Sequence, residues 1–453
     1  MNDLIKNRID ANRRSVLLRI KPGDEERIKL NSIAGSLIGQ INEIGKNEGI
    51  SGQLVGSTAR GTWLSGEHDL DIFIMFPPEM ERKYLEEKGL DIARKIAQGA
   101  DCFEERYAEH PYINAVFSGF EVDLVPAFSV PYASEIKSAV DRTPFHNAFV
   151  LKKIEGLEDE VLLLKQFMKG IGVYGSELRK RGFSGYLAEL LVINFGSFMN
   201  VLDAACGWKG RITIDIEKHG TLAHNDPMVM IDPTDPARNV AAVLSLDNLC
   251  TFIDRACEFL KNPDERYFTL HIPEPLDNVE FQRFLKTRGS SLIAVEFHAP
   301  DEVDDVLYPQ LYKMEESISQ VLEKFDFRVY NSGVWAARKA VVIFEIESAR
   351  LPYVKRHTGP EIGFREHIDA FKSKYKDSNV FSRIYIRNGR YMVDIQRKYY
   401  NAKGLMLSEL PKCGLGKHIS MSIKEGYKVL ENEEILAIEN EDFRRFLRSF
   451  FIK

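Results

Sequence analysis

The chain has 453 residues, 44% of them hydrophobic and 28% charged, with a formal net charge of −6 at pH 7. That length exceeds one ordinary hydrophobic core, so two to four domains are expected, and the acidic balance argues against a general basic nucleic-acid coat. No apolar run is long enough to span a bilayer, the opening MNDLIKNRIDANRRSVLLRIKPGDEE is charged throughout and unlike a secretory leader, and Cys102, Cys206, Cys250, Cys257 and Cys413 show neither a CxxC pair nor metal-ligand spacing. Reduced thiols in a cytoplasmic protein are expected.

Residues 24–45 predict a helix, with Ile28, Ile33, Leu37, Ile41 and Ile44 recurring near every 3.6 positions and Gly45 and Gly49 as stops. A short strand, Gln53-Leu54-Val55, then ends at Gly56, where the missing Cβ lets backbone amides approach an anionic oxygen. Ser57 adds a hydroxyl. The following TARGTWL suits a short helix whose N-terminus favours negative charge, and Arg60 would reach the same anion. Asp69–Phe76 has the pattern of a strand ended by Pro77-Pro78, with Asp69 and Asp71 on one face and Leu70, Ile72 and Ile74 on the other. Two carboxylates so placed suit a hard dication such as Mg²⁺.

Residues 79–98 predict a second helix ending at Gly99. Strands near Tyr112–Phe117 and Phe120–Val125 follow, joined as a hairpin at Ser118-Gly119, the second closed by Pro126. Phe120, Val122 and Leu124 share one face of that strand and Asp123 projects from the other. If it lies beside the first strand, three aspartates converge, and two metals about 3.5–4 Å apart would activate an attacking hydroxyl and neutralise a leaving pyrophosphate. Thr143-Pro144-Phe145-His146 is expected to be a loop closing an α/β catalytic domain. Glu158–Gly172 reads as a helix burying Val161, Leu164 and Met168 with Lys165 among them, and Ser184 as the N-cap of a long apolar helix.

A GS turn about a dozen residues before a DxD strand, with a further strand aspartate some fifty residues on, resembles the DNA polymerase β-like nucleotidyltransferase superfamily, in which three aspartates hold two Mg²⁺ ions and the GS turn holds nucleotide phosphates. GSTARGTWLSGEHDLDIF, KQFMKGIGVYGSELRKRGFSGYLAELL and DPTDPARNVAAVLS (residues 232–245) together are similar to the archaeal, class I type of CCA-adding enzyme, a tRNA nucleotidyltransferase. The likeness spans roughly the first 250 residues. It implies that Asp69, Asp71 and Asp123 are catalytic metal ligands, that Gly56, Ser57 and Arg60 contact the nucleotide, and that His146, Lys165 and Tyr174 line the ATP or CTP site. Taken without it, Lys165 is a snorkelling helix residue and Tyr174 is core. Arg238 would present its fork to a base edge or phosphate, or pair with Asp232 or Asp235.

Beyond a Pro-rich linker, His271–Pro275, strands are expected at 291–297, 326–331 and 340–347 with a helix at 308–324. Between Tyr353 and Gly404, twelve Lys or Arg stand against five acids, interleaved with Tyr375, Tyr385, Tyr391, Tyr399 and Tyr400. That suits RNA, with Arg387, Arg390, Arg397 and Lys398 as candidate contacts, or simply a solvated sheet face. A terminal amphipathic helix is expected at 440–450. The expected architecture is α+β and multidomain: a polymerase β-like catalytic domain (1–148) with a mixed sheet, a helical central domain (149–270) and a C-terminal RNA-binding region (271–453) of two α/β lobes. The expected function is template-independent addition of C, C and A to the 3′ end of tRNA from CTP and ATP, with two Mg²⁺ ions, no membrane, and a homodimer as an allowed assembly. The alternatives are a poly(A) polymerase, an oligoadenylate synthetase-like or small-molecule nucleotidyltransferase, and a catalytically silent RNA-binding scaffold.

Overall fold

The computed structural model describes residues 3–107, 109–220, 225–376 and 378–452. Contacts divide the chain into two compact units, Met1–His271 and Ile272–Lys453. The first begins with helices α1 (Asp3–Ile20) and α2 (Asp24–Gly45), then β1 (Ser51–Val55), α3 (Gly56–Arg60), β2 (Asp69–Phe76), α4 (Arg82–Ala97), β3 (Cys102–Tyr107), β4 (Pro111–Phe117) and β5 (Phe120–Phe128). The five strands form a mixed sheet in the order β1-β2-β5-β4-β3, in which β2 and β5 run parallel and the other neighbours antiparallel. Leu70, Ile72, Ile74, Val122 and Leu124 point into a core shared with α2 and α4.

Several expected details shift. In α2 the buried stripe is Leu30, Ala34, Leu37 and Ile41, whereas Ile28 and Ile44 are exposed. Strand β5 continues through Pro126 to Phe128 rather than stopping there. Its ladder with β4 ends at Leu124, so beyond that point one edge is open and the missing proline N–H is tolerated while pairing with β2 persists. Helix α1 and strand β3, whose residues are all exposed, had no expectation attached.

The rest of this unit comprises α5 (Thr143–Lys153), α6 (Glu158–Gly170), α7 (Gly185–Phe195), α8 (Phe198–Cys206), β6 (Ile212–Ile214), β7 (Met228–Asp232), β8 (Asp235–Asn239) and α9 (Leu246–Lys261). His146 therefore lies in a helix and not in a loop, because Pro144 occupies the first turn, where its fixed φ and missing donor start a helix. Ser184 caps α7 as expected, accepting from the Leu187 amide at 3.1 Å. Phe167, Phe198, Phe252, Phe259 and Phe268 interlock in an aromatic core. The thiol expectation is corrected at one pair: helices α8 and α9 bring Cys206 and Cys257 to a Cα separation of 5.4 Å as a disulfide, while Cys102, Cys250 and Cys413 are free. Fifty-one residues separate the two, so no local spacing announces them. Among the described residues no single helix is long and apolar enough to cross a membrane.

The second unit contains α10 (Asn278–Arg288), β9 (Ser291–His298), α11 (Asp304–Lys324), β10 (Val329–Ala336), β11 (Lys339–Ile346), β12 (Val354–Glu361), α12 (Arg365–Lys376), β13 (Tyr385–Arg387), β14 (Arg390–Gln396), α13 (Ala402–Glu409), α14 (Lys417–Glu425), β15 (Tyr427–Glu431) and α15 (Glu441–Phe451). Strands β10-β11-β9-β15 form an antiparallel sheet covered on both faces. Ile293, Val295 and Phe297 face α11, and the alternate residues Leu292 and Ala294 face α10 and α15. Strand β10 starts at Val329 and not 326, since Asp326 turns with φ +70°. The basic segment forms a separate sheet, β12-β14-β13, with α12 packed on β12.

Candidate active site

The turn after β1 and the carboxylates of β2 and β5 meet at one place. Gly56 takes φ +79° at the start of α3, and a Cβ there would collide with Asp71 Oδ2, so only glycine lets this turn lie against the carboxylate. Helix α3 ends at Arg60, with Gly61 at φ +69°, and is shorter than the expected TARGTWL helix. In the parallel register Asp71 pairs with Asp123, and Asp69 with Glu121. Asp69, Asp71 and Asp123 therefore share one sheet face. Burial first, then the Asp123 charge, pushes the Asp71 carboxyl up to about 6, against the pull of Arg60. Burial also raises Asp123, whose Oδ1 accepts from Asn114 Nδ2 at 2.7 Å, and burial with the Glu121 charge raises Asp69. Among the described residues no three His, Cys, Asp or Glu side chains already stand as a closed ligand set. The crowded carboxylates nonetheless fit a dication, which would offset the burial and, behind it, the neighbouring negative charge that raise all three.

Behind this face lies a buried polar network that sequence reasoning missed. Arg60 was expected to reach an anion; instead its Nε donates to Glu189 Oε1 at 3.0 Å, its second amino nitrogen stands 3.0 Å from Glu189 Oε2, and its first donates to Asn147 Oδ1 at 3.2 Å. Its guanidinium is thus committed to α7 and α5. Thr62 Oγ1 donates to the same Glu189 carboxylate. Lys165 is buried rather than snorkelling to solvent, and donates to the Thr62 carbonyl at 2.9 Å with Glu189 at 3.8 Å. Burial lowers the Lys165 ammonium's pKa and the Glu189 charge opposes that fall. The Tyr174 hydroxyl joins here: a Cβ on Gly185 would lie 3.0 Å from it and 3.4 Å from Lys165 Nζ.

A third group gathers around Asp232, at the end of β7. Its Oδ2 accepts from His146 Nε2 and from Arg238, both at 2.8 Å, and its Oδ1 accepts from the Thr234 amide and hydroxyl, both at 2.9 Å. Of the two partners open to Arg238, Asp232 is the one taken, while Asp235 pairs with Arg142 at 3.1 Å. The His146 ring stacks on Tyr186, centroids 4.1 Å apart. Burial would raise the Asp232 carboxyl, but the bonds from His146, Thr234 and Arg238 outweigh it and hold it well below the usual range. Burial holds His146 below its ordinary value. Tyr186, raised chiefly by burial, also feels both Asp232 and Glu189, so the second and third groups adjoin.

The four candidate RNA contacts sit in the second unit and are not alike. Arg390 is paired with Glu361 at 2.6 Å, Arg397 with Asp326, and Lys398 with Glu409 at 2.9 Å. Arg387 is exposed at the β13–β14 hairpin, with no ion pair among the described residues.

Comparison with known proteins accounts for most of the chain. Residues 37–146 match the family model for a nucleotidyltransferase domain, 159–269 that for the second domain of tRNA nucleotidyltransferase, and 288–432 that for the C-terminal domain of CCA-adding enzyme. The CCA-adding enzyme of Methanosarcina barkeri is 51% identical, with 96% of this chain and 97% of that one covered. That of Methanosarcina mazei is 50% identical at the same coverage, and that of Haloarcula marismortui 38% identical with 99% of each chain covered. Among solved structures, the RNA terminal uridylyl transferase Cid1 aligns with 59% of this chain and 98% of its own at 13% identity and a TM-score of 0.46. With half of its residues shared along nearly its whole length, and with all three of the matching domains in order, the chain belongs to the archaeal CCA-adding enzymes.

Proposed function

We infer that the chain adds C, C and A without a template to the 3′ end of tRNA, consuming CTP and ATP and releasing pyrophosphate. The observation that carries this is the Asp71–Asp123 register in the parallel pair β2–β5, with the Gly56 turn pressed against Asp71. Asp69, Asp71 and Asp123 would hold two Mg²⁺ ions. When bound, such ions ease deprotonation of the attacking 3′-hydroxyl and offset the charge of the leaving pyrophosphate.

The remaining steps belong to the chain's own side chains. The Gly56-Ser57 turn offers backbone and hydroxyl donors to the triphosphate, and the Lys165 and Tyr174 groups approach it from the α6–α7 side. Arg60 supplies positive charge from behind Asp71. His146 and Arg238, locked together by Asp232, form the wall of the nucleotide pocket. Catalysis then consists mainly of orientation and preorganised charge, as in phosphoryl-type transfers generally. Residues 1–148, 149–270 and 271–453 act as catalytic, nucleotide-recognition and RNA-binding regions, with Arg387, Arg390, Arg397 and Lys398 toward the tRNA, in the cytoplasm.

The test is incubation of purified protein with tRNA lacking its CCA end and labelled CTP or ATP. Two C residues followed by one A are expected. Incorporation of A alone on arbitrary RNA would replace this function with that of a poly(A) polymerase.

A further inference from the structure

The ion cluster behind Asp71 is unbalanced. Arg60 and Lys165, whose side chains are 7% and 4% exposed, share one fully buried carboxylate, Glu189, so the cluster itself carries surplus positive charge. Buried ion pairs are poor stabilisers, because desolvation consumes most of the attraction. A fold seeking only stability would fill this space with apolar groups. Glu189 also draws its partners from separate pieces of chain: Arg60 from α3, Thr62 from the turn after it and Lys165 from α6, while Glu189 itself sits on α7. Asn147 of α5 holds the other side of the Arg60 guanidinium. The one carboxylate thereby ties the Gly56 turn, which abuts Asp71, to the helix carrying Lys165, beside the Tyr174 hydroxyl of the α6–α7 connection.

We propose that Glu189 is a positioning residue for the nucleotide: its buried carboxylate fixes the Arg60 guanidinium and the Lys165 ammonium where their surplus charge faces the triphosphate, and it sets nucleotide affinity through them. The proposal rests on the function inferred above, and the experiment separates the two. Binding of CTP and of ATP is measured calorimetrically without tRNA, alongside steady-state kinetics on tRNA lacking its CCA end. Wild-type protein that binds neither nucleotide would defeat the site assignment itself.

If the site stands, Glu189→Gln, which keeps the shape and removes the charge, raises the Kd and KM for both nucleotides by about ten- to a hundredfold, by analogy with the loss of a residue that orients a metal ligand, with kcat changed less. Glu189→Asp recovers part of that loss. The triple variant Arg60→Gln/Lys165→Gln/Glu189→Gln is no worse than Arg60→Gln/Lys165→Gln, because Glu189 acts through those two side chains. Folded Glu189→Gln with wild-type Kd and KM, a fall in kcat alone, or a further loss in the triple variant would each overturn the proposal. Should Glu189→Gln not fold, Arg60→Leu/Glu189→Leu removes both charges together, and wild-type nucleotide affinity in that protein would overturn it equally.

Discussion

Asp71 occupies a place where burial and two neighbouring carboxylates oppose its charge, and a charge held against such opposition serves something other than stability. Asp71→Asn should therefore abolish nucleotide incorporation while tRNA affinity, read by filter binding, stays within about twofold, because no phosphate-contacting cation is removed. In chelator its thermal midpoint should be no lower than wild type. Asp232 presents the opposite case. Its folded carboxyl lies below the ordinary value near 3.8, so it contributes stability above that value and loses it as pH falls toward the folded pKa. Asp232→Asn should cost about 1–3 kcal/mol at pH 7, and the gap in urea midpoint between variant and wild type should hold above about pH 4, narrow as pH falls below it, and still be open at about pH 3. The aspartates were legible in the sequence because alternation along a strand is a local rule. Glu189 was not, and Asp232 was visible only as one of two possible partners of Arg238: the Arg60–Glu189 and His146–Asp232 pairs join residues far apart in the chain, which no local pattern marks.

At the scale of elements, the Gly56 turn is the most sensitive piece. Gly56→Ala combines a strained positive φ with a Cβ driven into the Asp71 carboxylate, so it should lower stability by about 1–2 kcal/mol and incorporation by at least about tenfold, checked by urea denaturation and the labelled-CTP assay. In the second unit the β13–β14 hairpin offers Arg387 unencumbered, whereas Lys398 is engaged by Glu409. Arg387→Glu should weaken tRNA binding and flatten its dependence on salt, and Lys398→Glu should do so less, both measured as Kd against salt concentration. Helix α2 and strands β2 and β5 were readable from periodicity, yet the stripe on α2 was offset, since Ile28 and Ile44 fit the period and face water while Leu30 and Ala34 do the packing. Helix α5 was missed because a proline near His146 signals a break as readily as a first turn. Strand β3 was missed because CFEERY, exposed at a sheet edge, has no buried face to betray it.

At the scale of the whole molecule, every group assigned to nucleotide chemistry lies within Met1–His271, and the basic, aromatic-rich sheet lies in Ile272–Lys453. The two units part between His271 and Ile272, at the start of the Pro-rich stretch His271–Pro275, whereas the Cys206–Cys257 link between α8 and α9 depends on helix packing and could not be seen in the sequence. The parallel pairing of β2 with β5 has a consequence for how activity arises. Parallel neighbours cannot be joined by a tight turn, and here the connection between Asp71 and Asp123 holds α4, β3 and β4. A slip of one residue would turn Asp123 into the apolar layer beside Ile72 and turn Leu124 out of it. The carboxylate set is thus a property of the assembled sheet, and no single hairpin cut from it would carry the three together.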